Sequence, residues 1–178
     1  MQIFHLRIAN LSSIGDEDYV YESCYRQSFI HRDIDEGIMQ GSCLCRAVEF
    51  RVEGISSKAY QCHCSLCRKQ GGTSSSLAIL VEAQNFSWVT GREHISSYVR
   101  PSGFRSDFCA RCGSPVPNPL RTTAYYWVPA GLLDDAETLE IGAHLFTGSK
   151  ASWETIPSDA PHFETMPQPS QLMELLSS

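Results

Sequence analysis

Cys62-His63-Cys64-Ser65-Leu66-Cys67-Arg68-Lys69-Gln70-Gly71-Gly72 is the stretch from which the fold can be read. It gains its meaning from two others, Cys43-Leu44-Cys45 and Cys109-Ala110-Arg111-Cys112-Gly113. Seven of the eight cysteines fall into these three groups. A Cys-x-x-Cys closed by Gly suits a metal knuckle: the turn aims both sulfurs at one ion, and Gly113 can take the positive φ that a β-carbon disfavours. Cys43 and Cys45 share one face of an extended strand, but a shared ion with Zn–S near ~2.3 Å requires the chain to bend there, and Gly41 is a candidate aid. Cys43, Cys45, Cys109 and Cys112 then close one tetrahedral site. Cys62, Cys64 and Cys67 supply only three sulfurs to a second. A closed four-ligand site stabilises structure, whereas three protein ligands leave a position for water or substrate, so the trio is expected to carry the chemistry.

Other readings of these residues stay open at this stage. Cys24, His94 or His144 could complete the second site and make it purely structural. Cys24 could equally be an idle or buried thiol. His63 lies between two ligands that point at the metal, so its ring is expected to face away, solvated or hydrogen-bonded behind the site. Disulfide exchange through Cys109 and Cys112 lacks the βαβ context that such chemistry usually has.

Outward from the cysteines the pattern is that of strands. Val48, Phe50 and Val52 alternate with Glu49, Arg51 and Glu53, the period of a strand with one wet face. Further strands are expected at residues 77–81, 86–90, 95–99, 104–108, 124–128 and 140–146, separated by Gly, Pro, Asn or Asp. Short strands at this spacing predict a mainly β, antiparallel body. Helix is expected only at residues 65–70 and after Pro169, where Ser170 can act as N-cap. Residues 149–169 are Pro-rich and expected to be irregular, and Trp88, Trp127 and Trp153 read as core before they read as pocket walls. The expected organisation is an N-terminal extension over residues 1–38, a zinc-binding domain over 39–167 and a helical tail over 168–178.

Composition narrows the class. The 178 residues carry 14 Lys+Arg against 20 Asp+Glu, for a net charge of -6, with no run of five or six basic residues. Binding to nucleic acid or an anionic membrane by counterion release is therefore not expected. Eight cysteines in 178 residues fall below the roughly 8–10% of a disulfide scaffold, which favours metal ligation. No stretch reaches 18 apolar residues and no secretory leader is evident, so a reducing, cytoplasmic setting is expected.

Gly41-Ser42-Cys43-Leu44-Cys45, Cys62-His63-Cys64-Ser65-Leu66-Cys67-Arg68 and Phe108-Cys109-Ala110-Arg111-Cys112-Gly113-Ser114-Pro115 together resemble the glutathione-dependent formaldehyde-activating enzyme family, which also includes centromere protein V. His144-Leu145-Phe146 and Ser149-Lys150-Ala151-Ser152-Trp153 are similar to the family's downstream segment. The resemblance covers about residues 39–167. It implies the β-tent, several small antiparallel sheets around two zinc ions: a structural one on Cys43, Cys45, Cys109 and Cys112, and a second on Cys62, Cys64 and Cys67. It also implies a carbon–sulfur lyase run in the synthetic direction, joining glutathione to formaldehyde to give S-(hydroxymethyl)glutathione. Two positions depart from the pattern. Arg46 stands where the family usually has Gly, and Ser152 replaces a common Pro.

For such a reaction, lowering a thiol pKa from ~8.5 to ~7 raises the thiolate fraction roughly 15-fold, but lost nucleophilicity cuts the gain to about 3-fold. Holding both reactants together, with polarisation of the carbonyl, is expected to supply most of the rate. Arg68, Lys69, Gly71 and Gly72 are the candidate contacts to the glutathione carboxylates, although a helical Arg-Lys pair is more often plain surface. The alternative is a non-catalytic zinc-stabilised binding module for a protein partner.

Overall fold

A computed structural model of the chain describes residues 37–121, 123–134, 136, 139–156 and 159–177, which all fall within one compact unit spanning 35–178. Cys24 and nearly all of the expected extension lie outside the described residues. Among the described residues, twelve strands form three sheets. The first sheet holds β1 (Ile38–Ser42), β2 (Glu49–Glu53) and β5 (Phe86–Thr90), in the order β1-β2-β5. The second is built from β3 (Lys58–Cys62), β4 (Ser76–Glu82), β9 (Asn118–Pro119), β10 (Tyr125–Pro129), β11 (Glu140–Leu145) and β12 (His162–Phe163), in the order β12-β11-β3-β4-β10-β9. The third holds β6 (Ile95–Val99), β7 (Arg105–Cys109) and β8 (Pro115–Val116), in sequence order. Two helices complete the described structure, α1 (Ser65–Gly71) and α2 (Pro169–Ser177), together with four single 3-10 turns.

Alternation behaves as physics requires. Val48, Phe50 and Val52 are buried while Glu49, Arg51 and Glu53 face outward to varying degrees. Pairing is antiparallel throughout, with one departure from the sequence-based expectation: β11 runs parallel to both β3 and β12. Parallel neighbours need a long crossover, and here about half of the domain lies between β3 and β11. A bulge between Ile141 and Ala143 adjusts the register, so that Leu145 comes to lie opposite Cys62.

The core is divided into three small apolar clusters, and the two cysteine groups sit in different ones. Tyr60, Cys62, Ala78, Trp127, Ala143, Leu145, Leu172 and Leu176 pack together under α2. Phe50, Val52, Ala59, Ile79, Val81, Val128 and Leu133 fill the centre, with Phe86 stacked on Phe50 and Trp88 packed edge-on against both. Cys43, Val48, Cys109 and Val116 form the third cluster. Trp127 and Trp88 serve the core as expected, but Trp153 is 71% exposed. No helix among the described residues is long and apolar enough to cross a membrane.

Candidate metal centre

The four-cysteine group is assembled by two tight turns. Leaving β1, the chain turns between Cys43 and Val48, with Arg46 N–H donating to the Cys43 carbonyl at 2.8 Å and Cys43 N–H to the Val48 carbonyl at 3.0 Å. The turn requires a left-handed residue, and Arg46 supplies it at φ 58. Gly41, expected to help the bend, instead permits close packing, since a β-carbon there would stand 2.4 Å from Phe50 Cζ and 2.7 Å from the Leu132 carbonyl oxygen. After β7 the second turn is the expected knuckle, with Gly113 at φ 77 and its N–H donating to the Cys109 carbonyl at 2.8 Å.

The sulfurs of Cys43, Cys45, Cys109 and Cys112 all lie within 4.8 Å of one another, with Cys43 and Cys45 3.6 Å apart and Cys45 and Cys109 3.8 Å apart. A tetrahedron with metal–sulfur bonds of ~2.3 Å has edges of ~3.8 Å, so this donor set fits one thiophilic ion. Val48 N–H points at Cys43 Sγ from 3.3 Å, and Ser114 Oγ lies 3.4 Å from Cys112 Sγ. Burial pushes the Cys43 thiol up to about 12. Burial also acts upward on Cys112, but hydrogen bonds from Ser114 and the Cys45 backbone outweigh it and bring that thiol down to about 6. Four donors, already converged, could hold one metal ion with no position left open.

The three-cysteine group is built on one strand-to-helix junction. Cys62 ends β3 and is buried, Cys64 caps α1 from an extended conformation, and Cys67 lies in the first turn of that helix. The Cys67 N–H donates to Cys64 Sγ at 3.4 Å, using a backbone group that a helix start otherwise leaves unpaired. All three sulfurs lie within 4.8 Å of one another. Hydrogen bonds from the Cys62 and Cys67 thiols, aided by the Cys67 and Leu66 backbone, hold Cys64 down at about 2. The same bonds act in reverse on the donors: the bond to Cys64 drives Cys62 up to about 11, and Cys67 is raised further, by Cys62 first and then by Cys64 and burial. Of the three sulfurs, Cys64 is thus the one most favoured as a thiolate. Tyr60, buried beneath it, has its phenol raised by burial and by the neighbouring thiols, and stays neutral.

Neither His94 nor His144 joins the trio among the described residues. His63 does turn away, as expected, and is fully buried. Its Nδ1 is 2.9 Å from Glu154 Oε1 and its Nε2 is 3.1 Å from His144 Nδ1. Burial, then His162 and His63, lower the His144 pKa against a smaller opposing pull from Glu154, so that ring is neutral at pH 7. Arg68 stands beside the trio but spends Nη1 on the carbonyls of His63, at 2.9 Å, and Ser149. Lys69 is exposed on α1, and Gly71 and Gly72 end the helix, Gly72 in the left-handed conformation at φ 65. Glu154 is the residue that sequence reasoning misses: a lone acid in a Pro-rich segment carries no periodicity or spacing to mark it.

Small sheets that carry two separate clusters of free thiols, each able to hold a metal ion, define a β-rich protein with two candidate metal–thiolate centres. Comparison with known proteins narrows the class: the family model described as glutathione-dependent formaldehyde-activating enzyme matches residues 38–149. A Halomonas elongata protein named as a putative glutathione-dependent formaldehyde-activating enzyme is 31% identical over 131 residues, 68% of this chain and 82% of that protein. The chain belongs to the glutathione-dependent formaldehyde-activating enzyme family. A crystal structure of a Rhodobacter sphaeroides protein is also similar, at 28% identity and a TM-score of 0.47, covering 55% of this chain and 89% of that one.

Proposed function

We propose that this chain joins glutathione, or a similar thiol, to formaldehyde or another small aldehyde, giving S-(hydroxymethyl)glutathione or its analogue by carbon–sulfur lyase chemistry run in the synthetic direction. The S–H bond adds across the carbonyl: sulfur bonds to carbon, the thiol proton ends on oxygen, and nothing is oxidised or reduced. In this reading Cys43, Cys45, Cys109 and Cys112 hold one zinc ion and Cys62, Cys64 and Cys67 a second. When bound at the trio, zinc supplies Lewis acidity and a stabilised anionic oxygen or sulfur.

The chain's own residues do the rest. The trio supplies three of four tetrahedral positions, and the β3–α1 junction keeps Cys64 and Cys67 partly open to solvent while Cys62 is buried. Exposed Lys69 offers a cation to the thiol's carboxylates, beside a Gly71-Gly72 helix end whose Gly72 N–H itself donates to the Arg68 carbonyl at 2.9 Å. Arg68, tied to two backbone carbonyls, orders the floor of that surface. Seven free cysteines among the described residues suit a reducing compartment such as the cytoplasm.

The observation that carries this reading is the convergence of three sulfurs, and no fourth donor among the described residues, beside a complete four-sulfur cluster. The test is formaldehyde consumption with and without glutathione, in the intact protein and in Cys64→Ser. The expected result is glutathione-dependent loss that falls at least 100-fold in the variant. Equal rates under all conditions would overturn the enzyme reading and leave a zinc-stabilised binding module. Metal stoichiometry separates the same two readings: two ions with one displaced by added thiol supports the enzyme, and two inert ions support the module.

A further inference from the structure

His63 is the one residue between the first two sulfurs of the trio, and all four of its polar atoms are engaged. Its N–H donates to the Leu145 carbonyl at 2.9 Å, and its carbonyl accepts from Arg68 Nη1 at 2.9 Å. Nδ1 meets Glu154 Oε1 at 2.9 Å, and Nε2 meets His144 Nδ1 at 3.1 Å. Leu145 and His144 end β11, and Arg68 reaches the Ser149 carbonyl with the same nitrogen, so every one of these contacts leads into residues 144–154. That segment is itself tied: Lys150 Nζ donates to the Glu154 carbonyl at 2.9 Å, and the Glu154 side chain is only 7% exposed.

A carboxylate in so dry a place is costly unless paired, and its partner here is a ring whose backbone sets the separation of Cys62 and Cys64. We propose that Glu154, acting through His63, is a positioning residue for the three-cysteine site. It fixes the peptide between the two sulfurs, so that they converge on one ion without rearrangement. Partners one layer behind metal ligands typically change metal affinity about 10- to 100-fold when removed. The arrangement is unusual because the clamped residue is not itself a ligand but lies between ligands, 91 residues from the acid that holds it. The inference rests on the trio's holding a metal, and it is independent of whether turnover occurs.

The experiment compares zinc release to a chromogenic chelator from the intact protein, Glu154→Gln and Glu154→Ala, each loaded with zinc. Expected are two release phases in the intact protein. In Glu154→Ala the faster phase accelerates about 10- to 100-fold and the slower, four-cysteine phase is unchanged. In Glu154→Gln, whose amide oxygen can still accept from His63, the acceleration is smaller. Cobalt(II) loading gives a second readout, with the thiolate charge-transfer band of the trio shifting in Glu154→Ala and partly restored in Glu154→Gln. Release kinetics unchanged in Glu154→Ala would overturn the proposal. So would equal acceleration of both phases, the mark of a general loss of structure. A single phase in the intact protein, with only one ion bound, would overturn the two-metal reading itself and the clamp with it.

Discussion

Arg46 sits at φ 58 in the turn between Cys43 and Val48, a conformation that costs a residue with a β-carbon roughly 1–2 kcal/mol. Its ion pair with Glu49, at 3.7 Å and largely exposed, returns little of that. Arg46→Gly is therefore expected to leave metal content unchanged and raise stability by up to about 1 kcal/mol, the unfolded-state entropy of Gly offsetting part of the relief; denaturant titration of the loaded protein measures it. Gly91 is the opposite case. At φ 76 its added β-carbon would fall 1.7 Å from the Ala47 carbonyl oxygen, against backbone that carries the four-cysteine turn. Gly91→Ala is expected to cost about 3 kcal/mol or more and to lower zinc retention at that cluster, both readable from one melting series with metal analysis.

At the scale of elements, α2 packs its Leu172 and Leu176 onto the cluster that contains Cys62, so a helix at the end of the described structure supports the strand that carries the first sulfur of the trio. Leu176→Ala should cost about 2–4 kcal/mol by chemical denaturation, the usual range for a leucine removed from a packed core. Elements of this kind were legible where periodicity was strong. Residues 86–90 and 95–99 coincide with β5 and β6, and both helices fall where composition puts them, although α2 starts at Pro169 and so places Ser170 inside its first turn rather than at the cap. β3 escaped because Lys58-Ala59-Tyr60-Gln61-Cys62 holds no Val or Ile, and its burial comes from neighbours on both sides rather than from its own composition. β12 and the parallel placement of β11 escaped because pairing between distant segments leaves no local trace.

Across the whole molecule, the four-cysteine cluster joins the turn after β1 to the end of β7, and so ties the first sheet to the third. Structural zinc contributes on the order of 10 kcal/mol in small domains, as much as a domain's entire stability. Exhaustive chelation is accordingly expected to lower the midpoint of the cooperative thermal transition sharply and to leave a marginally folded metal-free form, as followed by calorimetry.

The pH dependence of the two forms should part above pH 9. Without metal, Cys43 and Cys62 titrate at about 12 and about 11 in the fold, against 9.0 unfolded, so the native state keeps protons that the unfolded chain has released and stability falls from pH 9 to 11. Metal-bound thiolates hold no proton at any of these values, so the loaded form should gain stability up to pH 9 and then level off. Parallel denaturant titrations of both forms between pH 7 and 11 check the divergence. Both clusters were legible because metal ligation constrains spacing within short runs of chain, as with Cys109 and Cys112 around one knuckle. The buried acid behind the trio was not, because Glu154 meets His63 only after the chain has passed through nearly every strand.

The parallel insertion of β11 beside β3 has a consequence for biogenesis. On the ribosome, the four-thiolate knot has all its ligands once residue 112 has emerged, whereas β3 waits for residue 145 to cover its open edge and for residue 154 to lock the peptide between two of its sulfurs. On the two-ion reading proposed above, the four-sulfur site is the first to be complete and held, whereas the trio, although its sulfurs emerge earlier, is clamped only after residue 154. Stalled chains with residues 1–125 outside the exit tunnel are expected to retain one tightly held zinc ion, and chains exposed to residue 160 two.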